Sequence, residues 1–395
     1  MGKQVYVAGV AMVPFSKPSA GIPYTEMGSK AAQLALQDAG VDYKKIEQAY
    51  VSYVFGDSAS GQAALYNVGM SGIPIFNMNN YCASGSSALF LARQAIQSGA
   101  AQCVLVLGFE QMPPGALKSN WDDRPSPIGS FAQQMTEIQG FDQGIPRAAQ
   151  LFGGAGRAYM KEYGIGPETF AKIAVKARQH AAKNPNAVFR DVVTLEEVMA
   201  SPTVFDPMTR LQCCPPTCGA AAAVLCSEEF VKKHGLNNQV VIKAQVMNTD
   251  TNETFAHHDM RYVVGYDMTA RAAKDLYEQA SIGPEDIDVV ELHDCFTANE
   301  LITYEGLGLT PPGTAEKFIA DGDNTYGGRY VTNPSGGLLS KGHPLGATGL
   351  AQCAELVWHL RGQAGERQVE GAKLGLQHNL GLGGACVVTL YQKMN

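Results

Sequence analysis

The chain has 395 residues, of which 45% are hydrophobic and 17% charged, so it is long enough for two or three domains with ordinary globular composition. This balance excludes disordered, collagen-like and coiled-coil proteins. Thirty Lys and Arg against 37 Asp and Glu give a net charge of -7, which argues against a protein that binds nucleic acid or an anionic membrane by bulk charge.

The predicted elements begin with a strand over residues 5–13 and a helix over residues 27–39. Strands are also predicted at 50–55, 103–107 and 220–225, and their continuous apolar character is typical of a sheet covered on both faces. Residues 112–166 are rich in Pro, Gly, Gln and Asp and too long for a simple connection, which predicts an inserted loop region that covers a site. The pattern favours a layered α/β fold.

The second half of the chain repeats the first. At an offset of 241 residues Ala39 falls on Ala280 and Phe55 on Phe296. At an offset of 261 residues the segment 82–87 falls on 343–348. The two matches occur in the same order, which predicts two similar halves that face each other.

Nine scattered cysteines and the absence of a recognisable secretion signal predict free thiols in a reducing compartment. No apolar run approaches the roughly 18 residues of a membrane-spanning helix, so no membrane insertion is expected. A cytoplasmic location is expected, with a peroxisome or mitochondrion as the alternative in a eukaryote.

Cys82 opens a predicted helix whose first turn is made of Ser and Gly residues. The N–H groups and dipole of such a helix stabilise a thiolate, which is typical of a nucleophilic cysteine. The alternative is an ordinary buried thiol.

His343 lies in the segment Gly-His-Pro-Leu-Gly-Ala-Thr-Gly over residues 342–349. A histidine held between glycine and proline at a helix start suits a general base near a thiol, or else it satisfies turn carbonyls. The glycine spacing does not fit a dinucleotide site.

His293 and Cys295 follow a predicted strand over 287–292. If the strand continued, alternation would place both side chains on one side, where they supply a hydrogen-bond donor and an acidic thiol. A zinc pair is the competing interpretation, but a third close ligand is absent from the sequence nearby.

The remaining candidates are weaker. The segment 213–218, Cys-Cys-Pro-Pro-Thr-Cys, favours structural thiols over a metal knuckle, and 257–259 reads as solvated surface. Residues 381–385, Gly-Leu-Gly-Gly-Ala, predict either a hairpin turn or a turn whose N–H groups bind an oxyanion.

Taken together, these motifs resemble the thiolase superfamily, and within it the sterol carrier protein X type. The match rests on Asn-Pro-Ser-Gly-Gly at 333–337, the segment at 342–349, and His-Asp-Cys-Phe at 293–296, where most thiolases carry Asn-Glu-Ala-Phe. The resemblance implies a duplicated five-layered α/β/α/β/α fold with an inserted loop domain. It implies that residues 1–111 and 186–236 form the N-terminal half, 112–185 the loop domain, and 237–395 the C-terminal half.

The resemblance also implies residue roles. Cys82 is expected to be the nucleophile that retains the acyl group, with His343 as its base and His293 as a donor to the enolate oxygen. Cys295 is expected to be the acid/base thiol, and the backbone N–H groups of Cys82 and Gly383 an oxyanion hole.

Two departures from the family pattern bear on these roles. Gly381 stands where most thiolases have a second cysteine, so the acid/base role rests on Cys295. Cys218 replaces the usual Asp before Gly-Ala-Ala, which affects substrate selectivity more than chemistry.

The implied activity is CoA-dependent thiolysis of 3-ketoacyl-CoA with long-chain, branched or sterol-derived acyl groups, in fatty acid β-oxidation. The implied ligands are acyl-CoA and CoA, the latter as co-substrate, with no permanently bound cofactor or metal, no nucleic acid, and a homodimeric assembly. The alternatives are a Claisen-condensing or ketosynthase-like enzyme, a retro-aldolase that works with a small partner, and a non-catalytic acyl-CoA or lipid-binding protein.

Overall fold

The computed structural model describes residues 3–115, 121 and 123–394. The strands are β1 (Val5–Met12), β2 (Gln48–Ser52), β3 (Ile75–Met78), β4 (Cys103–Glu110), β5 (Thr203–Phe205), β6 (Met208–Thr209), β7 (Gly219–Ser227), β8 (Val240–Asn248), β9 (Val289–Glu291), β10 (Val331–Thr332), β11 (Leu374–Gly381) and β12 (Ala385–Lys393). The helices are α1 (Tyr24–Ala39), α2 (Ser60–Tyr66), α3 (Ser84–Gln97), α4 (Gly129–Gln139), α5 (Arg147–Tyr163), α6 (Glu168–Ala182), α7 (Leu195–Ala200), α8 (Glu228–His234), α9 (Glu253–Ala256), α10 (Met260–Val263), α11 (Tyr266–Ala280), α12 (Thr297–Gly306), α13 (Ala315–Ala320) and α14 (Leu345–Arg361).

Ten strands form two runs with the same internal plan. One run has the order β3-β2-β4-β7-β1 and the other the order β10-β9-β11-β12-β8. In each run the first three strands are mutually parallel and the last two pairs are antiparallel. Within the described residues the runs meet at a single pair, Tyr6 with Val241.

The repeat predicted from the sequence is present in the structure. At the offset of 241 residues, α1 falls on α11 and β2 on β9. The short 3-10 turn Tyr43–Lys45 falls on the turn Pro284–Asp286. At the offset of 261 residues α3 falls on α14.

The elements stack in five layers. Helices α1 and α2 pack on the outer face of the first run, and α11 and α12 on the outer face of the second. Between the runs, α3 and α14 bury Ala92 and Leu350 in one cluster with Val106 of β4 and Ile242 of β8. The duplicated five-layered α/β fold expected from the resemblance is therefore confirmed, whereas the domain boundaries remain a prediction.

Glycines let the two central helices approach closely near their N-termini. A Cβ atom on Gly85 would lie 2.9 Å from the Gly346 carbonyl oxygen and 3.1 Å from the Gly349 nitrogen. This approach brings the start of α3, just after Cys82, beside the start of α14, just after His343.

The region 112–166 differs from its prediction as an irregular loop. It contains α4 and α5, and α5 buries Leu151, Phe152 and Tyr159. Glycine-rich composition hides a helix of this kind, because tertiary packing overrides weak intrinsic propensity. Residues 116–120 and 122 of this region lie outside the described residues.

No helix in the described part of the chain is both long and apolar enough to cross a membrane.

Candidate active site

Cys82 lies in a tight turn between β3 and α3. The Ser84 hydroxyl donates to the Tyr81 carbonyl at 2.5 Å and accepts from the Asn80 N–H at 2.8 Å. Asn80 Nδ2 also donates to Ser87 Oγ at 3.0 Å. These bonds fix the turn, and the thiol that it carries is half-buried.

The resting state of this thiol differs from the sequence prediction. Burial, followed by the nearby charge of Glu110, raises the pKa of Cys82 to about 12, and a hydrogen bond from its own backbone N–H opposes the shift. The helix N-terminus therefore does not outweigh desolvation, and the cysteine is a neutral thiol that needs a base to remove its proton.

His343 follows a π-helical turn, Gly337–Lys341, and precedes α14. Its Nδ1 lies 2.7 Å from Thr348 Oγ1, and the Thr348 hydroxyl donates to the Pro344 carbonyl at 3.0 Å. The Pro344 carbonyl can only accept, so the Thr348 hydroxyl gives its proton to that carbonyl. Thr348 Oγ1 then accepts from His343 Nδ1, which therefore carries the ring proton. Nε2 then holds a lone pair, and it is buried without a hydrogen-bond partner among the described residues. The ring is set up as a proton acceptor.

A buried ion pair anchors the turn before His343. Lys341 Nζ lies 3.3 Å from Glu291 Oε2 and donates to Ser335 Oγ at 2.9 Å. Glu291 also accepts from the Ser335 N–H at 3.0 Å and from its hydroxyl at 2.8 Å. Because Glu291 ends β9, this network ties the His343 segment to the strand that precedes His293.

His293 and Cys295 do not lie on a strand, so that premise of the sequence analysis is wrong. Strand β9 ends at Glu291, and the Leu292 N–H donates to the Asn333 side chain at 2.8 Å instead of to a neighbouring strand. Both residues are buried in the connection to α12. His293 Nδ1 lies 3.1 Å from Asn379 Nδ2, which can only donate, so the ring proton sits on Nε2.

The structure brings the nucleophile candidate and both histidines together. Cys82 Sγ and one ring nitrogen each of His293 and His343 all lie within 4.8 Å of one another. The two rings are nearly perpendicular, at 85°, with centroids 5.1 Å apart. Burial lowers the pKa of His343 to about 3 and the pKa of His293 well below its usual value, so both rings are neutral at rest.

Cys295 lies beside this cluster together with Cys214, a residue for which the sequence favours a structural thiol. Burial raises the pKa of the Cys295 thiol, with further contributions from Cys214 and Cys82. The Cys214 N–H donates to the Cys295 carbonyl at 2.9 Å, and Pro216 forms a bridge with His343. No local signal in Cys-Cys-Pro-Pro-Thr-Cys predicts this placement, because it depends on pairing with residues about 80 and 130 positions away.

The hairpin turn between β11 and β12 packs on the nucleophile segment. A Cβ atom on Gly381 would lie 2.3 Å from the Asn80 carbonyl oxygen and 3.2 Å from the Ala83 nitrogen. Gly383, two residues further on, has a φ of +90°. The turn is therefore both the hairpin and a backbone segment beside Cys82.

The three-residue cluster offers ligand atoms of the types that zinc prefers, but it fits a metal poorly. Metal binding needs a ring lone pair, and the lone pair of His293 at Nδ1 is already taken by Asn379. The donor set is better suited to proton transfer and to binding an oxyanion.

Comparisons with known proteins show the family of the chain. The family model described as "Thiolase, N-terminal domain" matches residues 5–229, and "Thiolase C-terminal domain-like" matches residues 249–391. "Sterol carrier protein 2" of Gallus gallus is 54% identical over 99% of this chain and 72% of that protein. "Acetyl-CoA acetyltransferase" of Methanothermobacter thermautotrophicus is 35% identical over 99% of this chain and 100% of that protein. A solved structure titled "Ltp2-ChsH2(DUF35) aldolase" has a TM-score of 0.84 at 24% identity, over 99% of this chain and 98% of that chain.

Proposed function

The chain belongs to the thiolase family, whose members are acyltransferases, and from that membership we propose that it cleaves 3-ketoacyl-CoA by CoA-dependent thiolysis through an acyl group on Cys82. The observation that carries the proposal is the meeting of Cys82 Sγ with the ring nitrogens of His293 and His343 within 4.8 Å. A thiol beside a neutral imidazole with a free lone pair suits nucleophilic attack on a carbonyl carbon.

In the first half-reaction His343 Nε2 takes the Cys82 proton as Sγ attacks the 3-keto carbon. The bond between C2 and C3 then breaks, the acyl group remains on sulfur as a thioester, and the enolate of acetyl-CoA leaves. The Nε2–H groups of His293 and of the newly protonated His343 stabilise the enolate oxygen.

Cys295 completes both half-reactions. Its neutral thiol gives a proton to C2 of the enolate, and its thiolate then takes the proton of incoming CoA, whose sulfur attacks the Cys82 thioester. The bond between the acyl carbon and Cys82 Sγ then breaks, and the departing Cys82 thiolate takes back its proton from His343. Backbone N–H groups of Cys82 and Gly383 bind the oxyanion of the tetrahedral intermediates. One such donor contributes about 3 to 4 kcal/mol in comparable sites. CoA is a co-substrate in this scheme, and no resident cofactor takes part.

For the acyl group we propose long-chain, branched or sterol-derived substrates in fatty acid β-oxidation. The support is the 54% identity to a relative named for sterol carriage and the His-Asp-Cys-Phe sequence at 293–296. Condensation runs the same steps in reverse, so the direction of turnover is measured together with the substrate.

We propose a homodimer that joins along β3. This strand is the outer edge of its run, so one side of its backbone is unpaired within the described chain. Large apolar side chains around that edge are exposed: Tyr66 by 50%, Met70 by 78%, Phe76 by 45% and Leu91 by 39%. An exposed edge flanked by apolar residues is a template for pairing with a second strand.

The test is a thiolysis assay with CoA and three 3-ketoacyl-CoA substrates: short, long and straight, and 2-methyl-branched. We expect turnover in the parent and loss of at least about 1,000-fold in Cys82→Ala, because the nucleophile is gone. Cys213→Ala is the control, since it removes a half-buried thiol from the neighbouring segment and should retain activity. A folded parent that turns over none of the substrates in either direction contradicts the proposal and favours a carrier.

A further inference from the structure

A line of buried polar side chains leads from Gln377 on β11 to the His293 ring. We propose that Asn379 is a positioning residue for the proposed thiolysis, because it holds His293 in the tautomer whose proton is on Nε2. The inference rests on the proposed function for its catalytic consequence, and on hydrogen bonds alone for the tautomer.

The line begins at Gln377, whose amide orientation is fixed. Its Nε2 donates to the Gly349 carbonyl at 2.7 Å, and its Oε1 accepts from the Tyr391 hydroxyl at 2.6 Å. A carbonyl cannot donate, so the amide nitrogen must face Gly349. The same Nε2 also donates to Ser86 Oγ at 2.8 Å.

The orientation of the Gln377 amide fixes the donor and the acceptor of the next two hydrogen bonds. Ser86 Oγ already accepts from Gln377, so its own proton is free to go to Asn379 Oδ1, which lies 2.8 Å away. With its oxygen engaged by Ser86, Asn379 turns its Nδ2 toward His293 Nδ1 at 3.1 Å. An amide nitrogen only donates, so Nδ1 accepts and the neutral ring carries its proton on Nε2.

The reverse tautomer is costly here because nothing in the line can easily turn. Ser86, Gln377, Asn379 and Tyr391 are fully buried. The backbone of α14 closes over them, since a Cβ on Gly349 would lie 2.2 Å from Ser86 Oγ and 2.8 Å from Asn379 Oδ1. Turning the Asn379 amide would leave the Ser86 proton without this acceptor in a dry site, and an unpaired buried polar group is expensive.

The two adjacent histidine rings therefore carry their protons on different nitrogens. Asn379 makes His293 a donor at Nε2, while Thr348 makes His343 an acceptor at Nε2. One ring then suits a developing enolate oxygen and the other suits the Cys82 proton, while both rings are neutral at rest.

The first measurement is nitrogen-15 NMR of histidine ring nitrogens in the unmodified protein at neutral pH, with the His293 signals assigned by their loss in His293→Gln. We expect Nε2 protonated and Nδ1 bare. A His293 ring with its proton on Nδ1 overturns the proposal, and this reading requires no variant of Asn379 to fold.

The second measurement uses Asn379→Leu, which keeps the side-chain volume and removes the donor. We expect the His293 signals to lose the pattern of a single tautomer. We also expect kcat to fall about 100-fold and KM to change by less than about threefold, because part of the molecules lose the donor to the oxyanion. Unchanged signals together with unchanged kcat contradict the proposal.

Asn184→Leu is the matched control. Asn184 is also fully buried and donates to a carbonyl, that of Ser335, at 2.8 Å, and within the described residues no hydrogen bond joins it to either active-site ring. We expect a comparable loss of stability with the His293 signals intact. If the unmodified protein has the expected tautomer but no thiolysis, the proposed function fails while the placement of the proton stands.

Discussion

At the scale of single residues, Glu110 links the two halves of the molecule at the site. Its carboxylate accepts from the N–H groups of Val54 and Phe55 in the first half and of Gly346 in the second, at 2.8 to 3.3 Å. Burial raises the pKa of this carboxyl to about 7, and the three hydrogen bonds oppose the shift. A group with this pKa changes charge near neutral pH, beside the Cys82 thiol, whose own pKa it raises.

This pKa predicts a pH-dependent stability term. The folded pKa of Glu110 exceeds the ordinary 4.5, so its contribution is fully present below about pH 4.5 and is lost as pH rises through about 7. Between pH 5 and pH 8 the free energy of unfolding should fall more in the parent than in Glu110→Gln, by about 2 to 3 kcal/mol. Urea unfolding at the two pH values checks this, with Glu162→Gln at an exposed position as the control. If the free energy of unfolding changes equally between pH 5 and pH 8 in the parent and in Glu110→Gln, the raised pKa of Glu110 is contradicted.

The site residues divide by the kind of signal that each leaves in the sequence. Cys82 and His343 were predicted because each sits in a glycine-rich helix start, where sequence neighbours alone indicate the chemistry. Asn379 and Cys214 were not, because their positions near the site depend on partners far away in the chain. The helix start alone favours a Cys82 thiolate, whereas burial, which local sequence does not show, raises the pKa of this thiol to about 12.

At the scale of elements, the start of α14, just after His343, packs closely on the ends of β2 and β4. Gly346 packs against the backbone at the ends of β2 and β4: an added Cβ would lie 2.5 Å from the Phe109 carbonyl oxygen and 2.6 Å from the Ser52 carbonyl oxygen. Backbone atoms cannot move aside as a flexible side chain does, so the position requires glycine.

Gly346→Ala should therefore destabilise the fold by at least about 1 to 3 kcal/mol and displace His343 from Cys82, with a loss of activity beyond the loss of folded protein. Thermal unfolding and the specific activity of the folded fraction check this. Gly129→Ala, in open space at the start of α4, is the control and should be neutral or slightly stabilising. An unchanged melting temperature in Gly346→Ala would show that the start of α14 does not pack this closely on β2 and β4.

The elements that the sequence predicted best are the buried strands. A strand covered on both faces is apolar throughout, whichever strands it pairs with. β4 and β7 lie where they were expected. The predicted strand at 50–55 stops at Ser52, because the N–H groups of Val54 and Phe55 turn to Glu110 instead of a neighbouring strand. Helix α5 was missed because Gly153, Gly154 and Gly156 weaken its helical pattern.

At the scale of the whole molecule, the exposed edge at β3 leads to a prediction about assembly. Phe76 on that edge stacks on Tyr50, with ring centroids 4.9 Å apart, and remains 45% exposed. Phe76→Lys should convert the proposed dimer to monomer at micromolar concentration, since a charge on an edge strand opposes pairing. Sedimentation velocity checks the mass, and Phe141→Lys, at a side chain 46% exposed and away from β3, should leave it unchanged. A parent that sediments as a monomer contradicts the proposed assembly.

The duplicated plan of the molecule could be predicted because the two halves keep matching residues at a constant offset, as at α1 and α11. Their packing as five layers could not be derived from residues alone and came from the resemblance to the thiolase superfamily, which the family matches confirm. The sterol carrier protein X type is likewise supported by the 54% identity to the relative from Gallus gallus.

The shared central layer also sets the order in which the protein becomes active during synthesis. Cys82 leaves the ribosome 261 residues before His343, and at about 5 to 20 residues per second this interval lasts about 13 to 52 seconds. Helix α3 lacks its partner α14 for that whole time, and β12, which lies between β8 and β11, emerges later still. Until residues 343–393 have emerged and folded, the nascent chain therefore carries Cys82 as a thiol without the base that we propose for it.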